Sequence, residues 1–118
     1  MSFAPRTPAE AVEHLGSLGT GVRASVVVGP SGAVAAHSDD DAARGEEMGQ
    51  LLSQLFERAD ASGSTAVEQL EVSTPGGVVF GVRRSGWSIG VVADRLSLSS
   101  LMLFDLQGAL AGLSATRP

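Results

Sequence analysis

The chain has no cysteine, lysine, tyrosine or asparagine. Without cysteine it can hold neither a disulfide framework nor a thiolate zinc site. The other absences remove several residue types that serve as nucleophiles or general acids. Aromatic residues make up only 4%, which leaves little material for a ligand cavity. All eight basic residues are arginines, adjacent only at Arg83-Arg84, and the net charge is −5. Phosphate backbones are bound by clustered cations, so the charge pattern argues against nucleic acid as a partner. There is no long unbroken apolar run either. The most apolar tract, Leu96 to Leu113, is interrupted by Asp105 and Gln107, which argues against a membrane span. The opening MSFAPRTPAE lacks a basic segment followed by an apolar one, so no export signal is read there and a cytoplasmic location is expected.

What is present suits an ordered domain. The chain has 118 residues, 43% hydrophobic and 18% charged, the size and balance of one domain, 1–118, with its own core.

Thr7-Pro8-Ala9-Glu10 has the form of a capping box with proline at the first helical position. Val12, Leu15 and Leu18 then recur at helical spacing until Gly19 and Gly21. The β-branched run Val26-Val27-Val28 reads as a strand covered on both faces, and Gly29-Pro30-Ser31-Gly32 as a type I turn into a second strand. After Asp39-Asp40-Asp41, the positions Met48, Leu51, Leu52, Leu55, Phe56 and Ala59 mark one face of a helix of about five turns. Val67 to Ser73 alternates as a third strand. Thr74-Pro75-Gly76-Gly77 carries a type II signature, and Ser85-Gly86 reads as a two-residue loop between two further strands. A last helix runs from Ser97, its expected cap, to Leu113, with Leu101, Met102, Leu106 and Leu110 along it. The predicted order is α-β-β-α-β-β-β-α.

Three patterns invite a catalytic or ligand-binding reading. Gly86-Trp87-Ser88-Ile89-Gly90 matches the G-x-S-x-G nucleophile elbow, but the elbow serine must sit on a strand-to-helix turn with histidine later in the chain. Here the turn precedes Ser88, and both His14 and His37 lie upstream. Small residues at Ser88 and Gly90 instead let a helix approach the sheet. Asp39-Asp40-Asp41 lacks the glycine and glutamate of a calcium loop, with Arg44 and Gln50 in those places, and reads as a helix cap. Gly29-Pro30-Ser31-Gly32 is followed by a strand, so it cannot cradle phosphate at a helix start. His37-Ser38-Asp39 are contiguous and cannot converge as a triad. No catalytic, metal or cofactor site follows from the sequence. What remains is surface: a third strand at a possible sheet edge, and a second helix richer in large apolar residues than one small sheet needs.

The order of elements, with VRASVVVGPSGAVAAHS, LLSQLFERA and GGVVFGVRRSGWSIGVVADRLSLSSLMLFDLQGAL, resembles the roadblock/dynein-light-chain family over about residues 8–113. The resemblance implies an α/β (α+β) fold of the profilin-like kind, a five-stranded antiparallel sheet with helices on both faces. It implies a non-enzymatic, cofactor-free module that dimerises by pairing third strands and packing second helices. Carried over, Val67, Gln69, Leu70, Glu71 and Val72 would lie at the strand seam, and Met48, Leu51, Leu52, Leu55, Phe56 and Ala59 at or near the helix seam. The resemblance further implies regulation or scaffolding of a small Ras-like GTPase. A sensor kinase or another roadblock chain is the alternative partner. Arg44 and Arg58 would be the places for an arginine finger, although the bacterial activators resembled are held to remodel the GTPase instead. A second reading is a small-molecule sensor of profilin-like or PAS-like type, with Phe80 and Trp87 lining its cavity.

Overall fold

Thr7 and Glu10 satisfy each other's backbone at the start of the first helix. The Glu10 amide donates to Thr7 Oγ1 at 3.1 Å, and the Thr7 amide donates to Glu10 Oε1 at 3.1 Å. This is the reciprocal capping box read from the sequence. The computed structural model describes residues 6–17, 21–63, 66–94 and 99–115, with side chains to 113 in the final helix. The elements are α1 (Pro8–Ser17), β1 (Val22–Val28), β2 (Val34–His37), α2 (Ala42–Ala61), β3 (Gln69–Thr74), β4 (Gly77–Arg84), β5 (Trp87–Ala93) and α3 (Ser99–Ala115). The order is the expected one. The expected cap Ser97 and the expected helix residue Leu18 lie outside the described residues. No helix among the described residues is long and apolar enough to cross a membrane.

Strand order is β2-β1-β5-β4-β3, and every neighbouring pair is antiparallel. The three turns differ in how well composition specified them. Gly32 N–H donates to Gly29 O at 2.9 Å, closing the turn between β1 and β2 as read. Ser85 and Gly86 both have positive φ, 53° and 85°, the requirement of a type I′ hairpin whose twist suits the flanking strands. The third expectation fails. A type II turn needs positive φ at Gly76, but in this turn the unusual φ falls on Gly77, which pairs with Thr74 as the first residue of β4. Thr74 Oγ1 donates to Gly77 O at 2.9 Å and fastens the loop.

Alternation sorts the side chains into two layers. Val27, Phe80, Val82, Ile89 and Val91 point to the face covered by α1 and α3, where they meet Leu15, Met102, Leu106, Leu110 and Leu113, all essentially inaccessible. Burying a large side chain such as Phe80 stabilises the fold by about 1.5–3 kcal/mol. Val26 and Val28 point the other way, beneath α2, so the triple valine is covered on both faces as its composition implied. On that face, among the described residues, the apolar cluster has only four buried members, Val26, Val28, Leu52 and Phe56. The reason is width. One helix is about 10 Å across, and strands are spaced about 4.8 Å apart. A single helix cannot cover five of them.

Candidate interaction surface

α2 begins at Asp41, whose carboxylate accepts from the Ala43 amide at 2.9 Å, and Asp39 in turn accepts from the Asp41 amide at 2.8 Å. Asp41, supported by Asp39, therefore works as the helix cap, satisfying an amide that lacks an intrahelical partner. The helix then lies close to the sheet because small residues permit it. A Cβ at Gly49 would stand 2.3 Å from Val34 Cγ2, and one at Gly90 would stand 2.9 Å from Leu52 Cδ1. The small-residue reading of Gly90 is thus the one the packing realises. Ser88 lies within β5, flanked by Val28 of β1 and Arg83 of β4, and not on a turn into a helix.

At the far end of α2, Asp60 binds two elements at once. Its Oδ1 accepts from the Val67 amide at 2.8 Å and from the Arg83 guanidinium. Arg83 Nε also donates to Val67 O at 2.5 Å, and the guanidinium lies over the Phe56 ring, 4.5 Å from its centroid. The Val67 hydrogen bond, followed by the Arg83 contact, holds the Asp60 carboxyl below the ordinary carboxylate range. Together these contacts fix the approach to β3. Val67 precedes that strand instead of belonging to it.

β3 is an edge strand, as its place at the start of the three-strand meander suggested. It is regular, pairs with β4 in unbroken register from Gln69↔Val82 to Thr74↔Gly77, and carries no proline or bulge to blunt its free side. Its side chains divide. Leu70 and Val72 share the α2 face, and Leu70 packs against the α2 cluster. Gln69 and Glu71 point to the opposite face, where Gln107 Nε2 donates to Gln69 Oε1 at 3.4 Å and Ser99 Oγ donates to Glu71 Oε2 at 3.0 Å.

The register places four apolar residues in one row across the sheet. Val72 pairs with Val79, Val79 with Val92, and Val92 with Ala24. All four are only partly buried. They lie where α2 ends its coverage, and Met48, Leu51, Leu55 and Val92 join in an apolar crevice along the helix flank. Leu51 is 52% exposed, while Leu52 and Phe56 are 3% and 2% exposed beneath the helix. Of the residues expected at the helix seam, then, Leu52 and Phe56 face their own sheet. Met48, Leu55 and Ala59 are half-buried, and Leu51 faces outward. Val79 and Val92 were not singled out from the sequence. Alternation with Gly81 and Gly90 in the same strands was the available signal. A separate exposed ridge on α3, headed by Phe104 at 74%, lies on the opposite layer.

No family model and no curated protein matches the sequence. Solved structures do match. A roadblock/LC7 domain from Streptomyces avermitilis superposes with a TM-score of 0.80 at 17% identity, covering 89% of this chain and 92% of that one. This is the roadblock fold. Gliding protein mglB from Thermus thermophilus shares it with a TM-score of 0.71 at 11% identity, covering 98% of this chain and 97% of that one. MglC from Myxococcus xanthus does so with 0.62 at 15%, over 91% and 96%. At these identities, what is common to the chains is the roadblock arrangement of sheet and helices.

Proposed function

We propose that the protein is a non-catalytic, dimeric interaction module that regulates or scaffolds a small Ras-like GTPase. The observation that carries this reading is the unfinished α2 face. A free, regular β3 edge runs into the half-exposed row Val72–Val79–Val92–Ala24 beside Leu51 and Leu55. A second copy paired at β3 would continue the sheet, bring two α2 helices side by side, and cover both rows at once. Such an interface is isologous, so one patch serves both partners. It combines strand addition with helix packing. Leu51, Leu55, Met48 and Ala59 supply its helix part; Val67, Leu70, Val72 and the backbone of Gln69 and Glu71 supply its strand part. Leu52 and Phe56 support it from beneath. The GTPase role is supported by the likeness to mglB in fold and by the roadblock pattern of the sequence. Of the two residues expected to line a ligand cavity, Phe80 is fully buried in the core and gives the small-molecule alternative no support, while Trp87 is half-buried and borders a surface cavity of about 390 Å³ beside the Ser85-Gly86 turn.

Two measurements test the two halves. In sedimentation velocity the wild-type protein should run as a dimer, and Leu51→Arg should run as a folded monomer; a monomeric wild type would end the dimer reading. Affinity capture from the source cell should use bait loaded with GDP or with a non-hydrolysable GTP analogue. Retention of a small GTPase in one nucleotide state is the expected result, and no GTPase in either state removes the regulatory half.

A further inference from the structure

Two observations fix which backbone groups of β3 face its free side. Arg83 N–H donates to Glu68 O at 2.8 Å, and these residues are direct partners when the register Gln69↔Val82 is continued by one step. That pair is hydrogen-bonded, and hydrogen-bonded and non-hydrogen-bonded pairs alternate along an antiparallel ladder. Thr74↔Gly77, which closes the short hairpin loop Pro75-Gly76, falls in the same phase. Leu70, Val72 and Thr74 thus turn their N–H and C=O groups toward β4. Those of Gln69, Glu71 and Ser73 face outward, and the register is unbroken over the whole span.

The outward row stops at both ends for chemical reasons. Val67 is next in phase, but its N–H is given to Asp60 and its carbonyl accepts from Arg83 Nε. In the other direction Pro75 has no N–H to give. The free template is Gln69, Glu71 and Ser73, symmetric about Glu71. An antiparallel copy pairs all three in one register only: Gln69 opposite the partner's Ser73, Glu71 opposite the partner's Glu71, and Ser73 opposite the partner's Gln69. Sliding by two residues either way leaves one of them unpaired. The same register sets Leu70 opposite the partner's Val72 on the α2 face, in non-hydrogen-bonded pairs where side chains come closest. On the α3 face it sets two Glu71 carboxylates against each other, each accepting from the Ser99 hydroxyl of its own chain at 3.0 Å.

We propose that β3 takes a second copy of this chain in this one register, with the two-fold axis at Glu71, and that Glu71 sets how tightly two copies hold. The inference rests on the dimer reading above and supplies its geometry. A second copy is the fitting occupant because every outward residue finds a partner and one patch closes on itself. The main chain gives affinity, and the Leu70–Val72 contacts on the α2 face add to it. Glu71 works against both, since like charges directly opposite across two strands are destabilising. The dimer is thus weaker than its backbone and apolar contacts alone would make it. A neutral residue at position 71 tightens it, and a cation there in one copy prefers the unaltered chain as partner.

The chain has no cysteine, so introduced ones report contacts between copies alone. Gln69→Cys, Glu71→Cys and Ser73→Cys all fall at exposed positions, and the variants are oxidised mildly, singly and in mixed pairs. Opposed residues of a hydrogen-bonded pair have Cα atoms about 5.5 Å apart, within disulfide range. Glu71→Cys should link to itself, and Gln69→Cys should link to Ser73→Cys but not to itself. Linkage of Glu71→Cys to either of the other two would show a shifted register and overturn the proposal while the dimer stands. A dimeric wild type in which none of the three links would do the same. In sedimentation, Glu71→Gln should tighten the dimer about two- to fivefold. Glu71→Arg mixed with wild type should form mixed dimers in preference to either homodimer. Unchanged affinity in Glu71→Gln, or a statistical mixture with Glu71→Arg, would overturn the part given to Glu71. A monomeric wild type removes the dimer reading, and the register falls with it.

Discussion

The carboxylate of Asp60, in the last turn of α2, is bonded to the guanidinium of Arg83 on β4. The same oxygen accepts from the Val67 amide, so one side chain ties the end of the helix to the sheet and to the lead-in of its edge strand. The position of α2 relative to β3 therefore depends on a contact between residues 23 apart in sequence.

Because the Asp60 pKa is lowered in the folded state, its contribution is present above the ordinary carboxylate value and is lost as pH falls through the lowered one. Wild-type stability should fall with acid in that range. Asp60→Asn should be less stable at neutral pH, show a flatter acid limb, and converge with wild type at the lowest pH. Urea melts at a series of pH values measure this; parallel curves for the two proteins would contradict it.

Two glycines in helices should respond oppositely to alanine. Helix propensity favours alanine by about 1 kcal/mol. At Gly49 the new methyl would collide with the stiff Val34 side chain, and overpacking costs about 1–3 kcal/mol, so Gly49→Ala should destabilise. At Gly108 a Cβ meets nothing within 4 Å, so Gly108→Ala should stabilise by up to about 1 kcal/mol. Thermal melts of the pair decide between steric and propensity control.

Adjacent leucines on α2 should separate folding from association. Leu52→Ala empties a packed site and should cost about 2–5 kcal/mol of stability at any protein concentration. Leu51→Ala should cost less than about 0.5 kcal/mol in the monomer. It should, however, weaken the dimer and lower the melting temperature mainly in concentrated solution, where association contributes most to the wild-type protein, and least in dilute solution. Melts over a hundredfold range of concentration distinguish the two.

Ser85 holds a left-handed conformation that a non-glycine residue pays for, about 1–2 kcal/mol for most side chains. Asparagine tolerates it better and forms the favoured Asn-Gly hairpin. Ser85→Asn should raise the melting temperature without changing the sheet; a lower value would show that the turn is not under backbone strain.

Local chemistry made much of this fold legible in the sequence. The Thr7–Glu10 box, the Asp41 cap, the Ser85-Gly86 hairpin and the alternation of β4 and β5 depend on residues a few positions apart, so their signals sit side by side in the chain. The same alternation already argued against an elbow at Ser88. The turn at Gly76-Gly77 was misread because two consecutive glycines leave the location of the unusual φ open, and the strand register settled it.

The rest needed the tertiary structure. Helical spacing puts Leu51 and Leu52 on one apolar stripe, yet only the docking of α2 on Gly81 and Gly90 decides that Leu52 is core and Leu51 is surface. Val79 and Val92 belong to different strands, and register alone aligns them with Val72. The Asp60–Arg83 contact joins residues far apart in the chain. Composition and short-range pattern determined which elements form. Which of their faces stay uncovered was set by how one helix fits across five strands.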